Sequence, residues 1–289
     1  MADRRAAFAT SSTVNGITDD DLLVARELRA RGWTVDAATW NDAGVDWAAF
    51  DLVVLRSTWD YHLHVGDFLE WLSRLDRLQV DVRNPVSVIR WNSKKSYLRD
   101  LETAGVRIVP TRWIPQHDQA ALADIAGNAQ WERFVVKPAV SASAHRTWRG
   151  ALSEATLLEA SFRAMVTHGD VLVQPFLDEV ITTGEWSLLF YGGAYSHSVL
   201  KKPRADDFRV QREHGGSSIT LDAPAAAVAG AAQALAAAER LCGPTRYARV
   251  DGYMVSDAFV LMELELIEPD LYLRASDDAP RRLADALDS

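Results

Sequence analysis

Three acidic side chains near the end of the chain have the spacing of a cation site. Residues 247–255 and 259–267 are β-rich runs flanking Ser256-Asp257-Ala258, which reads as a hairpin with a three-residue loop. In that register Val255 faces Phe259, Asp251 lies opposite Glu263, and Glu265 shares their face. The other face carries Val250, Met254, Val260, Met262, Leu264 and Leu266, an apolar layer suited to a core. Opposed carboxylates with Cβ atoms ~5 Å apart repel unless a cation sits among them. An all-oxygen donor set suits Mg2+, or Mn2+, rather than zinc. The plain alternative is a solvated acidic face. Alternation of glutamate with leucine through MELELIEP, with Arg249 on the same face, favours the metal.

Cationic side chains are the second feature. Lys137 ends the apolar run FVVKP, where an ammonium is costly unless it is used or escapes to water. The small and hydroxyl residues of AVSASAHRTWR follow it and could let backbone N–H groups approach an anion, although no glycine comes before Gly150. Lys94 and Lys95 follow WNS at a helix start, where one reaches inward and the other faces water. Any one of these lysines alone reads as a solvated chain end; several of them together with a carboxylate cluster weigh against that plain reading. No GxxxxGK[ST], GxGxxG, GxSxG or HExxH occurs, so nucleotide binding would need another scheme.

A third group, Arg56-Ser57-Thr58-Trp59-Asp60-Tyr61-His62, follows the strand FDLVVLR at its carboxyl end, where open α/β sheets bind ligands. Arg56 could pair a substrate carboxylate and Asp60 a substrate amine. Equally, Trp59 and Tyr61 could cap the sheet while the charges pair internally. His214, beside Gly215-Gly216, could reach a site, although a loop histidine is ordinarily solvated. His197 alternates with apolar residues and reads as packing, and Cys242 as buried and inert.

The elements that must position these groups change character along the chain. At 289 residues, and roughly 150 per domain, about two domains are expected. An apolar share of 48% and a charged share of 25% exclude a mostly disordered protein. A net charge of −9 and pI ≈ 5.3 give no global basic field to attract nucleic acid or anionic membranes, and leave room only for a local basic pocket. One cysteine cannot form an internal disulfide, MADRRAAFATSST lacks a signal-peptide core, and no run is apolar enough to cross a bilayer. A cytoplasmic monomer or homodimer is the expectation. Residues 6–9, a helix capped by Thr18, residues 33–37 and 50–56, and a helix over 67–78 give β/α alternation. After about residue 92 come short β runs and the hairpin signal Gly192-Gly193. The fold class is thus α/β followed by α+β.

Taken in order, Lys95, FVVKP, VLVQPFL, the Glu185 hairpin and MELELIEP resemble the ATP-grasp carboxylate–amine ligases of the glutathione synthetase branch. The motifs NP…WN…K…YL, KPAVSA, GEWSL, FRVQREHGG and ARVD…LMELELIEP are similar to the cyclo-ligases that form cycloserine from O-ureido-D-serine. That resemblance implies an ATP-grasp fold with an N-terminal open α/β (pre-ATP-grasp) domain. It divides the chain into a substrate-side domain (1–92), a small or lid subdomain (93–175) and a C-terminal subdomain with the Mg2+ site (176–289). Lys95 and Lys137 would hold ATP phosphates, Gln174 and Leu177 the adenine, and Glu185 the ribose or the substrate. Asp251, Glu263 and Glu265 would hold two Mg2+ ions. Arg209 and Lys202 would act on the γ-phosphate or the acyl phosphate, and Arg56, Ser57, Asp60, His214 and Gly215 would meet the substrate. Ser141-Ala142-Ser143-Ala144 stands where the family carries a glycine-richer loop. The activity implied is an ATP-dependent ligase joining a small amino-acid-like carboxylate to nitrogen, within one molecule or between two. A Mg2+-dependent phosphotransferase and a non-catalytic ATP-binding module are the rivals.

Overall fold

The computed structural model describes residues 4–142, 144–204, 207–210 and 214–289. The first sheet is parallel, with order β2-β1-β3-β4: β1 (Arg4–Thr10), β2 (Trp33–Thr39), β3 (Leu52–Ser57) and β4 (Asp81–Arg83). Every residue of β3 is buried, as expected of a strand covered on both faces. Helices α1 (Asp21–Ala30) and α2 (Val65–Leu78) supply the cover. The Thr18 hydroxyl accepts from the Asp21 backbone N–H and donates to the Asp21 carboxylate, which starts α1. Phe68, Trp71, Leu72 and Leu75 recur at helical spacing in α2 and bury against Trp40, Trp47 and the sheet.

Helices α3 (Val86–Asn92) and α4 (Tyr97–Thr103) lead to a second, antiparallel sheet. It contains β5 (Arg112–Ile114), β6 (Arg133–Pro138), β7 (Trp148–Ala151) and β8 (Val171–Pro175) in the order β5-β8-β6-β7. Helices α5 (Leu122–Asn128) and α6 (Ala155–His168) cover one face through Ile125, Phe162 and Val166. After α7 (Asp178–Thr182) comes the third sheet, also antiparallel: β9 (Glu185–Tyr191), β10 (Ala194–Lys202), β11 (Ser217–Thr220), β12 (Tyr247–Val255) and β13 (Ala258–Glu265), in the order β11-β10-β9-β12-β13. The alanine-rich α8 (Ala225–Cys242) lies on its apolar face together with α3 and α4. The approach is close: a Cβ on Gly230 would come within 2.5 Å of the Phe259 Cβ. The last helix, α9 (Ala279–Asp288), returns to the first sheet and buries Leu283 and Leu287 beside Val24 and Leu28. Among the described residues no helix is long and apolar enough to cross a membrane.

The β12–β13 hairpin differs from its sequence reading in an instructive way. Its loop is two residues, because Val255 pairs with Ala258 rather than facing Phe259. A bulge between Asp251 and Gly252 then inserts one extra residue on β13, Met262. The two departures cancel beyond the bulge, so Asp251 does pair with Glu263. Nearer the turn they do not cancel. Leu261 and Phe259 enter the main core, while Val260 and Met262, expected there, pack with Tyr253 and Leu177 on the other face.

Two buried asparagines, Asn84 after β4 and Asn92 at the end of α3, tie those elements to this hairpin. Asn84 donates to the carbonyls of Tyr247 and Leu266 and accepts from the Arg246 N–H. Asn92 donates to the Leu264 carbonyl and accepts from the Leu266 N–H. Removing either amide strands several buried backbone groups. Asn84→Ala should lower unfolding free energy by about 2–4 kcal/mol, read as a shift in the urea midpoint. A midpoint within error of the unsubstituted protein would show that the bolt carries no stability.

Candidate active site

Strand pairing writes charge across one face of the third sheet. Ser187, Asp251 and Glu263 are in register on β9, β12 and β13, Arg249 faces Glu265, and Glu185 faces Lys201. Leu188, Val250 and Leu264 alternate with them and point into the core under α8, so the period of two separates chemistry from packing. Over this polar face the second sheet and the β3–α2 loop enclose a cavity of about 520 Å3.

Cations reach the carboxylates from separate elements. Lys95 Nζ lies 2.8 Å from Glu263 Oε1 and donates to the Ser141 carbonyl at 2.9 Å. Lys94 turns away and pairs with Asp170 on the surface. Lys201 Nζ stands between Glu185 (2.5 Å) and Asp251 (3.3 Å), and Arg249 bridges Asp251 and Glu265. Burial alone would raise Asp251, but Arg249 and Lys201 outweigh it and hold the carboxyl below its ordinary value. Glu263 is likewise held down against burial by Lys95 and Lys137. Glu265 goes the other way, pushed up to about 7 by burial and by the charges of Glu263 and Asp251. Burial and Glu265 push Glu268 up to about 8, while desolvation brings Lys137 down to about 8.

Oxygens of Asp251, Glu263 and Glu265 all lie within 4.8 Å of one another, and hard carboxylate donors at that separation suit Mg2+. The upward shift of Glu265 reports the same unbalanced negative charge. Asp251 is 2% exposed and lies behind the cavity wall, held by Arg249, Lys201 and the Ser187 hydroxyl, so Glu263 and Glu265 present the accessible oxygens.

Lys95, Lys137, Gln174, Leu177, Glu185, Arg209, Glu263 and Glu265 all line the cavity. Gln174 is held by a bond from its Nε2 to the Thr111 hydroxyl, and Arg209 pairs with Asp207 at 2.8 Å. Lys202 does not belong with them. It is exposed, and its neighbour Lys201 takes the inward position because strand alternation points adjacent side chains to opposite faces. Arg56 and Ser57 are buried beneath the wall rather than on it. Arg56 Nε pairs with Asp21 at 2.7 Å and Nη2 donates to the Pro269 carbonyl, so its charge is spent inside the protein. Asp60 accepts from the Trp40 indole, and Trp59 and Tyr61 reach the cavity instead. His214 and Gly215 are not on the wall, and Gln211, Arg212 and Glu213 of the same motif lie outside the described residues, as does Ser143. Ala144 and Arg146 adopt left-handed backbone where a glycine would be unstrained. Sequence reasoning missed Glu268, Met262, Phe208 and the asparagine bolts. MELELIEP displayed Glu268 in plain view, but period-two counting ends with the strand at Glu265.

The sequence profile for the N-terminal domain of D-cycloserine synthetase DcsG matches residues 6–84. The cycloserine biosynthesis protein DcsG of Streptomyces lavendulae is 33% identical over 299 residues, 97% of each chain. A crystal structure of D-cycloserine synthetase DcsG superposes with a TM-score of 0.87 and 28% identity over 98% of both chains. D-alanine–D-alanine ligase from Bacillus anthracis, complexed with ATP, shares the fold at a TM-score of 0.69 and 15% identity, covering 98% of this chain and 96% of that one. The ATP-grasp ligase PsnB, with a precursor variant, Mg and ADP, does so at 0.65 and 17%, covering 99% and 98%.

The two adjacent lysines on β10 separate by substitution. Lys201→Met leaves Glu185 without its cation and should cost about 3–5 kcal/mol of stability, whereas Lys202→Met should stay within about 0.5 kcal/mol. Urea unfolding of both variants checks this, and equal effects would contradict the placement.

Proposed function

The chain belongs to the D-cycloserine synthetase family of ATP-grasp ligases, and from that premise we propose that its cavity activates the carboxylate of a small amino-acid-like substrate and joins it to nitrogen. The observation that carries this reading is the row of carboxylates on β12 and β13 facing lysines from two other elements across one cavity. ATP and Mg2+ are the reagents of the fold. In the proposed arrangement Glu263 and Glu265, with Asp251 behind them, hold Mg2+, and a second ion or Mn2+ is compatible with the same oxygens. Bound there, Mg2+ supplies positive charge to the phosphate oxygens.

Lys95 and Lys137 offset charge on the phosphates. Gln174 and Leu177, with Met262 and Val180 beside them on the wall, form the purine seat. Glu185 meets the ribose or substrate. A substrate carboxylate oxygen attacks the γ-phosphorus, the bond to the β,γ-bridging oxygen breaks, and its electron pair leaves with ADP. The acyl phosphate so formed is a good electrophile. Nitrogen attacks its carbon, the C–N bond forms as the C–O bond to phosphate breaks, and inorganic phosphate leaves. Arg209, held at the rim by Asp207, steadies that phosphate. No side-chain nucleophile enters either step, consistent with the absence of a GxSxG elbow. Attack by the oxygen-bound nitrogen of the same molecule, with loss of a proton, closes a ring. In making cycloserine from O-ureido-D-serine the carbamoyl group on that nitrogen must also leave, taken up by one water and released as CO2 and ammonia, and this is the specific reaction proposed.

ADP release with Mg2+-ATP across a panel of D- and L-amino acids and O-ureido-D-serine, with mass spectrometry of products, tests the reading. One substrate should stimulate ADP release and yield a ring-closed or condensed product. Glu263→Gln should lower kcat at least a hundredfold. ADP formed without any C–N product would identify a phosphotransferase instead.

Lys137 adds a pH signature. Its value lowered to about 8 leaves it charged at pH 7 and neutral above about 8. Because phosphate binds the charged form, nucleotide affinity should fall as pH rises past 8, approaching tenfold per pH unit. Calorimetric titration should show this in the unsubstituted protein and a flatter profile in Lys137→Arg; identical profiles would remove Lys137 from the phosphate site.

A further inference from the structure

One wall carboxylate is not used by the chemistry above. Glu268 is 9% exposed and lines the cavity. Among the described residues Glu185, Glu263 and Glu265 each meet a cation within ion-pair distance, and Glu268 meets none. No side-chain donor of another described residue reaches it either. Asp270, further along the wall, is exposed and accepts from the Tyr272 N–H.

The position is nevertheless fixed. Arg56 Nη2 donates to the carbonyl of Pro269, and Arg249 Nη1 to that of Asp270, both at 3.2 Å. Two buried arginines therefore clamp the backbone immediately after Glu268, and Asp21 holds the first of them. Trp59, Tyr61 and Ile267 line the same cavity, contributing apolar and aromatic surface to its wall. A preorganised, desolvated carboxylate without a cation is incomplete on its own. A small organic cation completes it, and an amino acid carries one on the carbon next to the carboxylate that must be phosphorylated.

Building on the ligase reading, we propose that Glu268 binds the ammonium group of the substrate and makes the cavity selective for amino acids over the corresponding simple acids. Glu265, three residues earlier on the same wall, sets the direction: the ammonium lies toward Glu268 and the carboxylate toward the metal and phosphates. Arg56 is then a positioning residue acting through the Pro269 carbonyl.

The probes are D-serine and its desamino analogue 3-hydroxypropanoate, titrated calorimetrically into the full chain saturated with Mg2+ and a non-hydrolysable ATP analogue. The unsubstituted protein should bind D-serine about ten- to a hundredfold more tightly, the range for a hydrogen bond to a charged group. In Glu268→Gln the two probes should bind within about threefold of each other, with affinity for the Mg2+-nucleotide unchanged, and Glu268→Asp should recover part of the preference. Three results would overturn the assignment: no preference in the unsubstituted protein, a preference that survives in Glu268→Gln, or loss of Mg2+-nucleotide affinity in that variant, which would make Glu268 a metal ligand. The ligase reading fails separately, in the ADP-release experiment.

Discussion

Negative charge on a largely buried sheet face is the constraint around which the molecule is arranged. Glu185, Asp251, Glu263 and Glu265 lie close enough on three neighbouring strands that the sheet could not hold them ionised alone. Two cations, Lys201 and Arg249, come from the same sheet. The others arrive from outside it: Lys95 from the turn before α4 and Lys137 from near the end of β6 in the second sheet. The third sheet thus depends electrostatically on elements that precede it in the chain. Glu265 is still raised to about 7, first by its burial and then by the charges of Glu263 and Asp251, against the pull of Arg249 and Lys201.

That dependence explains why so much polar machinery surrounds the β12–β13 end. Asn84 and Asn92 fix the backbone of residues 264–266, so the carboxylates of β13 project from a strand that cannot slip. Arg249 serves twice, neutralising Asp251 and Glu265 while holding the Asp270 carbonyl. Arg56 does equivalent work from the first domain. Hydrogen bonds to backbone fix the strands, and side-chain ion pairs fix the acids upon them.

The sequence displayed the carboxylate pairing because glutamate and leucine alternate strictly where one face is buried. It did so with the wrong loop, and the bulge at Met262 restored the register. Bulges follow from local twist and packing, which residue types alone do not encode. The same limit explains Lys202: counting outward from Gly192-Gly193 puts Leu200 opposite Glu185, and the irregularity between Tyr195 and His197 brings Lys201 there instead. Internal pairing of Arg56 stood in the sequence as an equal alternative to substrate binding, but its partner Asp21, 35 residues away on another element, was not legible. Glu268 and Asn84 lie in irregular segments, where no periodicity ranks one polar residue above another, and Asn92 is the last residue of the short helix α3.

The return of α9 to the first sheet gives the chain a looped topology. Leu283 and Leu287 complete the apolar layer begun by β1 and α1, and Asp288 accepts from Arg4 and from the Trp33 indole. During synthesis the first sheet therefore waits for the last helix to emerge before its core can close, and its contacts span nearly the whole chain, a pattern associated with slow folding. Once closed, the first and third sheets share one apolar cluster, in which Leu189, Tyr191 and Tyr247 meet Leu283 and Leu287 of α9. Any motion between the two sheets would have to expose apolar surface from both of them and from the helix that closes the layer.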